Sequence, residues 1–215
     1  MPIPSIVTHG TVYAGQPTGG STQSFNVSVS TSCMYLFLIF SKKSGNFPYS
    51  ILFNGAAPTQ LATTGSAMNG AAIYGVLYPP SGSKTITWTN TSSPPALLLV
   101  YQIQVSLGNT ITKNQADVTY TTTSLSISIT PDLPDNLFIS AAGSAYSFVD
   151  PLEKTGATIL YGSNNHVVCY KQKSGLNSAG FGYESSTDPQ GWGASTVAIT
   201  GIFGQKFRIL GFPGL

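Results

Sequence analysis

Period-two alternation constrains this chain more than any other feature. Phe25, Val27 and Val29 alternate with Ser24, Asn26, Ser28 and Ser30, and Leu125, Ile127 and Ile129 alternate with Ser124, Ser126 and Ser128. A strand points successive side chains to opposite faces, so each segment builds a sheet with one apolar and one hydroxylated face. Only 7% of the residues are charged, so the wet face is made of hydroxyls and amides rather than ions.

Segments of this kind recur along the chain. Residues 6–13, 23–30, 33–41, 49–53, 71–78, 84–89, 96–106, 118–122, 124–130, 136–142, 158–161, 166–173, 180–184, 195–203 and 206–210 read as strands. Asn54-Gly55, Pro79-Pro80-Ser81-Gly82, Pro94-Pro95 and Asp188-Pro189-Gln190-Gly191 punctuate them, fixing φ, supplying positive φ or withdrawing an amide donor. The apolar run 34–40, MYLFLIF, is far short of a membrane span and fits a strand covered on both faces. No capped helical periodicity competes. The expected fold is all-β, an antiparallel two-sheet β-sandwich or jelly roll.

A Gly-rich N-terminal arm over residues 1–20, a sandwich domain over 21–202 and a C-terminal assembly tail over 203–215 are the expected divisions. The tail places Phe203, Phe207, Ile209, Phe212 and Leu215 within thirteen positions. Apolar surface of that density needs cover, and docking on another subunit of a homo-oligomer is the expectation. Inside the domain, Phe25, Val27, Val29, Leu36, Leu38, Phe40, Ile86, Trp88, Leu97, Leu99, Leu125, Ile127 and Ile129 should face the core. Tyr35, Phe37 and Ile39 share the opposite face of their strand and need a loop or partner over them.

Charge and cysteine content narrow the function. The nine Lys and Arg, for a net charge of +2, are scattered, whereas nucleic-acid binding needs clustered cations to displace phosphate counterions. The start, MPIPSIVTHG, has neither the basic nor the apolar region of a secretory signal. Cys33 and Cys169 read as two buried, reduced thiols, with a single bridge as the other option. The sequons Asn26-Val-Ser28 and Asn90-Thr-Ser92 are glycan acceptors in a secreted chain.

Reactive chemistry finds little material. His166 and Cys169 stand three apart on one strand and point to opposite faces, so they make no dyad, and His166 is expected at a surface or interface. The carboxylate pairs Asp132/Asp135, Asp150/Glu153 and Glu184/Asp188 lie in or beside turns, where capping explains them. Two carboxylates fall short of a calcium shell, and the Cys and His spacing is not that of a zinc site. The expectation is no catalytic residue, no cofactor and no metal. Tyr161, Tyr170, Tyr183 and Trp192 are interleaved with Gly, Ser and Asn. Such rings serve as core of a second sheet, as a protein interface, or as stacking platforms for a glycan.

Four stretches in order, SFNVSVSTSCMYLFLIF, SILFNGAAPTQL, AAIYGVLYPPSGSKTITWT and GWGASTVAI, carry a family likeness. From about residue 24 to 202 the chain resembles a β-sandwich module that recurs in phage virion proteins and bacterial surface proteins. The arm and the tail depart from that module, and the likeness implies no catalytic residues. The low charge, the hydroxyl-rich surface, the apolar ends and the lack of an active-site constellation, beside this likeness, lead to the expectation of a non-enzymatic virion structural protein, displayed on a capsid or tail with other virion proteins as partners. Decoration or cement is preferred to receptor binding. The alternative is a secreted carbohydrate-binding or adhesin module.

Overall fold

The computed structural model describes residues 3–64, 69–108, 110–119, 124–144, 156–163, 165–184 and 192–201, the side chains of residues 117–119, 184 and 192 excepted. Among these residues there is no helix, and every pairing between strands is antiparallel.

The first half supplies β1 (Ser5–Gly15), β2 (Thr22–Val29), β3 (Tyr35–Lys43), β4 (Tyr49–Phe53), β5 (Thr59–Thr63), β6 (Gly70–Leu77), β7 (Gly82–Thr89) and β8 (Leu97–Ser106). They form an inner sheet ordered β1-β8-β3-β6-β5 and an outer sheet ordered β2-β7-β4. Strands 1-8-3-6 facing strands 2-7-4 is the winding of a jelly roll. The second half supplies β9 (Thr110–Thr119), β10 (Ser124–Ile129), β11 (Asn136–Ser144), β12 (Thr158–Gly162), β13 (His166–Lys173), β14 (Ala179–Glu184) and β15 (Trp192–Thr200). Its inner sheet runs β9-β15-β11-β13-β12 and its outer sheet pairs β10 with β14. Position for position this is the order of the first half. The chain is a tandem repeat in topology.

The two inner sheets pack face to face, which makes four layers and three cores. Between the first outer and inner sheets lie Val27, Val29, Leu36, Leu38, Phe40, Ile86 and Trp88. Between the two inner sheets lie Tyr35, Phe37, Ile39, Ile73, Leu137, Ile139 and Val197. Between the second inner and outer sheets lie Leu125, Ile127, Phe138, Ala142, Phe181 and Tyr183. The unbroken apolar reading of β3 now has its cause. Leu36, Leu38 and Phe40 face their own outer sheet, while Tyr35, Phe37 and Ile39 face the second half of the same chain. Of the other expected core residues, Leu99 joins the central core, and Phe25 and Leu97 are only half-buried.

Within the segment expected as an arm, residues 5–15 are β1, which covers the strand expected over 6–13 and is hydrogen-bonded along β8 as an edge strand of the inner sheet. The expected single sandwich over 21–202 resolves into two stacked ones. Residues 203–215 lie outside the described residues, and so does the interface expected of Phe203, Phe207, Ile209, Phe212 and Leu215.

Candidate functional site

Of the aromatic residues singled out in the sequence, Tyr183 lies in the core of the second half, while Tyr161 and Tyr170 pack against the central core. Tyr183 is 2% exposed, and its hydroxyl lies 2.5 Å from Ser140 Oγ, which in turn lies 2.7 Å from Thr196 Oγ1. It is a core ring with a satisfied polar tip, the first of the three uses open to these rings, and not a glycan or partner contact. Tyr161 packs half-buried against the central core, 5.7 Å from the Tyr101 ring. Tyr170, also half-buried, borders a shallow concavity of about 300 Å³ with Lys171, Gln172 and Lys173. The Trp192 side chain lies outside the described residues.

The titratable groups are placed as follows. Cys33 and Cys169 form no disulfide with each other and are buried in different cores, one on each side of the paired inner sheets. Asp132 meets Lys113 at 3.5 Å on the surface, and Asp135 Oδ1 accepts the Gly175 N–H at 2.9 Å. Asp150, Glu153, Asp188 and the Glu184 side chain lie outside the described residues. Among the described residues no three His, Cys, Asp or Glu side chains gather as a metal set. Of the two sequons, Asn26 is exposed, whereas Asn90 is buried and donates to Thr18 O and Ser21 Oγ, which closes it to glycosylation.

His166 sits at the seam between the halves, not on the outer surface. Ser41 Oγ donates to Ala142 O at 2.9 Å and lies 2.9 Å from His166 Nδ1. A hydroxyl has one proton, so the second bond needs the imidazole to donate, which assigns the Nδ1–H tautomer. Burial, with the nearby Lys43 charge, lowers the His166 pKa to about 4, so the ring is neutral at ordinary pH. Ser195 Oγ ties the same seam by donating to Ala71 O at 2.8 Å. Backbones nearly touch here, since a Cβ on Gly143 would lie 2.5 Å from both Gly70 O and Lys42 O. Lys42 is buried beside it, donating to Gly45 O over the Phe47 ring, and burial lowers its pKa to about 8. The Ser41, His166 and Ser195 side chains are occupied in holding the halves together, while the Lys42 ammonium is held within the first half.

The concave surface lies elsewhere, at the edge of the first half where β4 and β5 end their sheets. The Asn54-Gly55 turn closes on a Phe53–Ala56 pair of backbone bonds, with φ of 49° and 83° at its two central residues. Both φ values are positive, as a tight hairpin turn requires. Ala57 and Pro58 line two clefts in common, one of about 570 Å³ and one of about 330 Å³. Tyr49, Ser50, Gln60 and Tyr74 line the larger; Asn54, Thr59, Leu77 and Tyr78 line the smaller. Among the described residues neither has a charged side chain in its lining. Tyr49 is 54% exposed and Tyr78 is 60% exposed. Tyr78 stands at φ 50°, where its N–H bonds Met34 O at 2.8 Å; Pro79 follows and ends β6.

Sequence reasoning missed this surface. Its signal was an aromatic residue directly beside proline at a strand end: Pro48-Tyr49 and Tyr78-Pro79. Comparison with protein-family models, with curated proteins and with solved structures finds no match.

Proposed function

We propose that the chain is a non-enzymatic structural protein of a virion, a rigid subunit displayed on a capsid or tail alongside copies of itself and other virion proteins. The observation that carries this reading is the outer skin. On the first outer sheet, Ser24, Asn26 and Ser28 face solvent, and Thr22–Thr89 and Asn26–Thr85 are cross-strand hydrogen-bonded pairs at 3.1 and 3.0 Å. On the second, Ser124, Ser126 and Ser128 face solvent, and Thr130 meets Ser178 at 2.8 Å. A hydrogen-bonded, nearly uncharged skin lets identical copies crowd without like-charge repulsion. Beneath it, four layers with three packed cores give a body that keeps its shape.

Quantitative mass spectrometry of purified particles, with native mass measurement of the isolated chain, tests the reading. A fixed copy number per particle is expected. A chain absent from particles sinks it.

A further inference from the structure

We propose that the paired clefts at the β4–β5 edge bind an uncharged oligosaccharide, with sugar rings laid on Tyr49 and Tyr78. The site is independent of where the protein resides, so failure of the virion reading leaves it standing.

Three observations converge on this ligand class. The first is the exposure of the rings. Large apolar side chains exposed among the described residues are few, and Tyr49, Leu77 and Tyr78 all border these clefts. A tyrosine face carries negative electrostatic potential and attracts the weakly positive C–H face of a pyranose, while its hydroxyl stays wet. The second is the remaining lining. Ser50, Asn54, Thr59 and Gln60 offer amides and hydroxyls, which can both donate and accept hydrogen bonds, as sugar hydroxyls require. With no charge among the described lining residues, none of them offsets the desolvation of a carboxylate or sulfate, so acidic glycans are disfavoured. Clefts of about 570 and 330 Å³ lie within the range of sites for compact ligands.

The third observation removes the main competitor. An open sheet edge commonly captures an extended peptide by adding a strand. Here both edges are interrupted. β4 carries an extra residue between Tyr49 and Leu52, with Ser50 at φ 50°. β5 carries one between Gln60 and Ala62, just after Pro58. Bulges break the ladder a peptide would need and re-aim the side chains around them.

The test uses the full chain on a printed array of neutral oligosaccharides of glucose, galactose, mannose and N-acetylglucosamine, with sialylated and sulfated glycans alongside. The strongest neutral binder is then titrated by calorimetry against the wild type, Tyr49→Ala, Tyr78→Asn and the double variant. Asparagine tolerates positive φ, so Tyr78→Asn removes the ring without new backbone strain. Expected are binding to a neutral glycan, at least a tenfold loss in each single variant, no measurable binding in the double variant, and unchanged thermal melts. Preference for acidic glycans, no glycan bound, or binding retained by the folded double variant overturns the proposal.

Discussion

The two halves share one winding and fill it differently. In the first half, the core under the outer sheet is a nest of rings: Trp88 stacks on Phe25 at 5.3 Å and meets Phe40 and Tyr13 edge-on at 5.6 and 5.9 Å. In the second half, the equivalent core holds Ala142, Ala194 and Ala198 around Phe138 and Phe181, with the Tyr183–Ser140–Thr196 hydroxyl chain through it. One core is dry and aromatic, the other smaller and hydrogen-bonded. Strand order is therefore set by alternation and turns, while side-chain choice within an apolar pattern tunes how each core packs. The clefts belong to the first half, where the described β4 and β5 edges meet.

The sharpest way to break this comparison is to damage one half and watch the other. Trp88→Ala empties the largest fully buried side chain among the described residues and should cost about 3–5 kcal/mol. Its indole N–H is buried without a hydrogen-bond partner, so the loss is one of packing and not of a polar contact. Because the inner sheets share the central core, hydrogen exchange should accelerate in β10 and β14 as well as in β2 and β7. Exchange confined to the first half would show that the repeats unfold independently.

A second measurement tests the seam by pH. The folded His166 pKa is about 4 against an ordinary 6.5, so between these values the unfolded chain holds a proton that the folded chain lacks. Stability is complete above about pH 6.5 and falls as pH drops toward 4, by about 3 kcal/mol in all. Denaturant titrations from pH 7 to pH 4 should show that loss in the wild type and a shallower one in His166→Gln. Equal slopes would mean that the imidazole is not buried between the halves.

Much of this architecture was legible. The alternating segments quoted for residues 24–30 and 124–129 turn out to be β2 and β10, the same strand of the two repeats. The duplication itself was not legible, because it resides in pairing order and the equivalent strands share a pattern and few identical residues. β5 escaped because an edge strand such as TQLAT has only one buried side chain, Ala62, and so shows no clean period. β9 was placed late, since Lys113, Asn114, Gln115 and Ala116 are all exposed on its edge. Tyr183 stayed open between core, interface and glycan contact because its glycine neighbours resemble a loop. In fact Gly180 and Gly182 lie on the outward positions of β14, opposite Ser128 and Ser126. Tyr49 and Tyr78 were passed over because exposure at a bulged edge is a tertiary property.

The smallest expected effect probes why the halves can approach at all. At the seam, Gly143 lies opposite both His166 on β13 and Gly193 on β15. An added Cβ there would meet the Gly70 and Lys42 carbonyl oxygens at 2.5 Å, and on Gly193 it would meet Asn69 O at 2.7 Å. These are backbone atoms, held by the β3–β6 ladder, and they cannot rotate away as a side chain would. Gly143→Ala should therefore force the inner sheets apart locally, at about 1–3 kcal/mol. Opening the seam stretches the Ser41–Ala142 and Ser41–His166 bonds and admits water to the ring. The His166 pKa should rise toward 6.5 in the variant, and the acid-sensitive window should narrow with it. Histidine NMR titration of the variant decides the point. A destabilised protein whose His166 still resists protonation near pH 4 would place the strain inside the second half and not between the two.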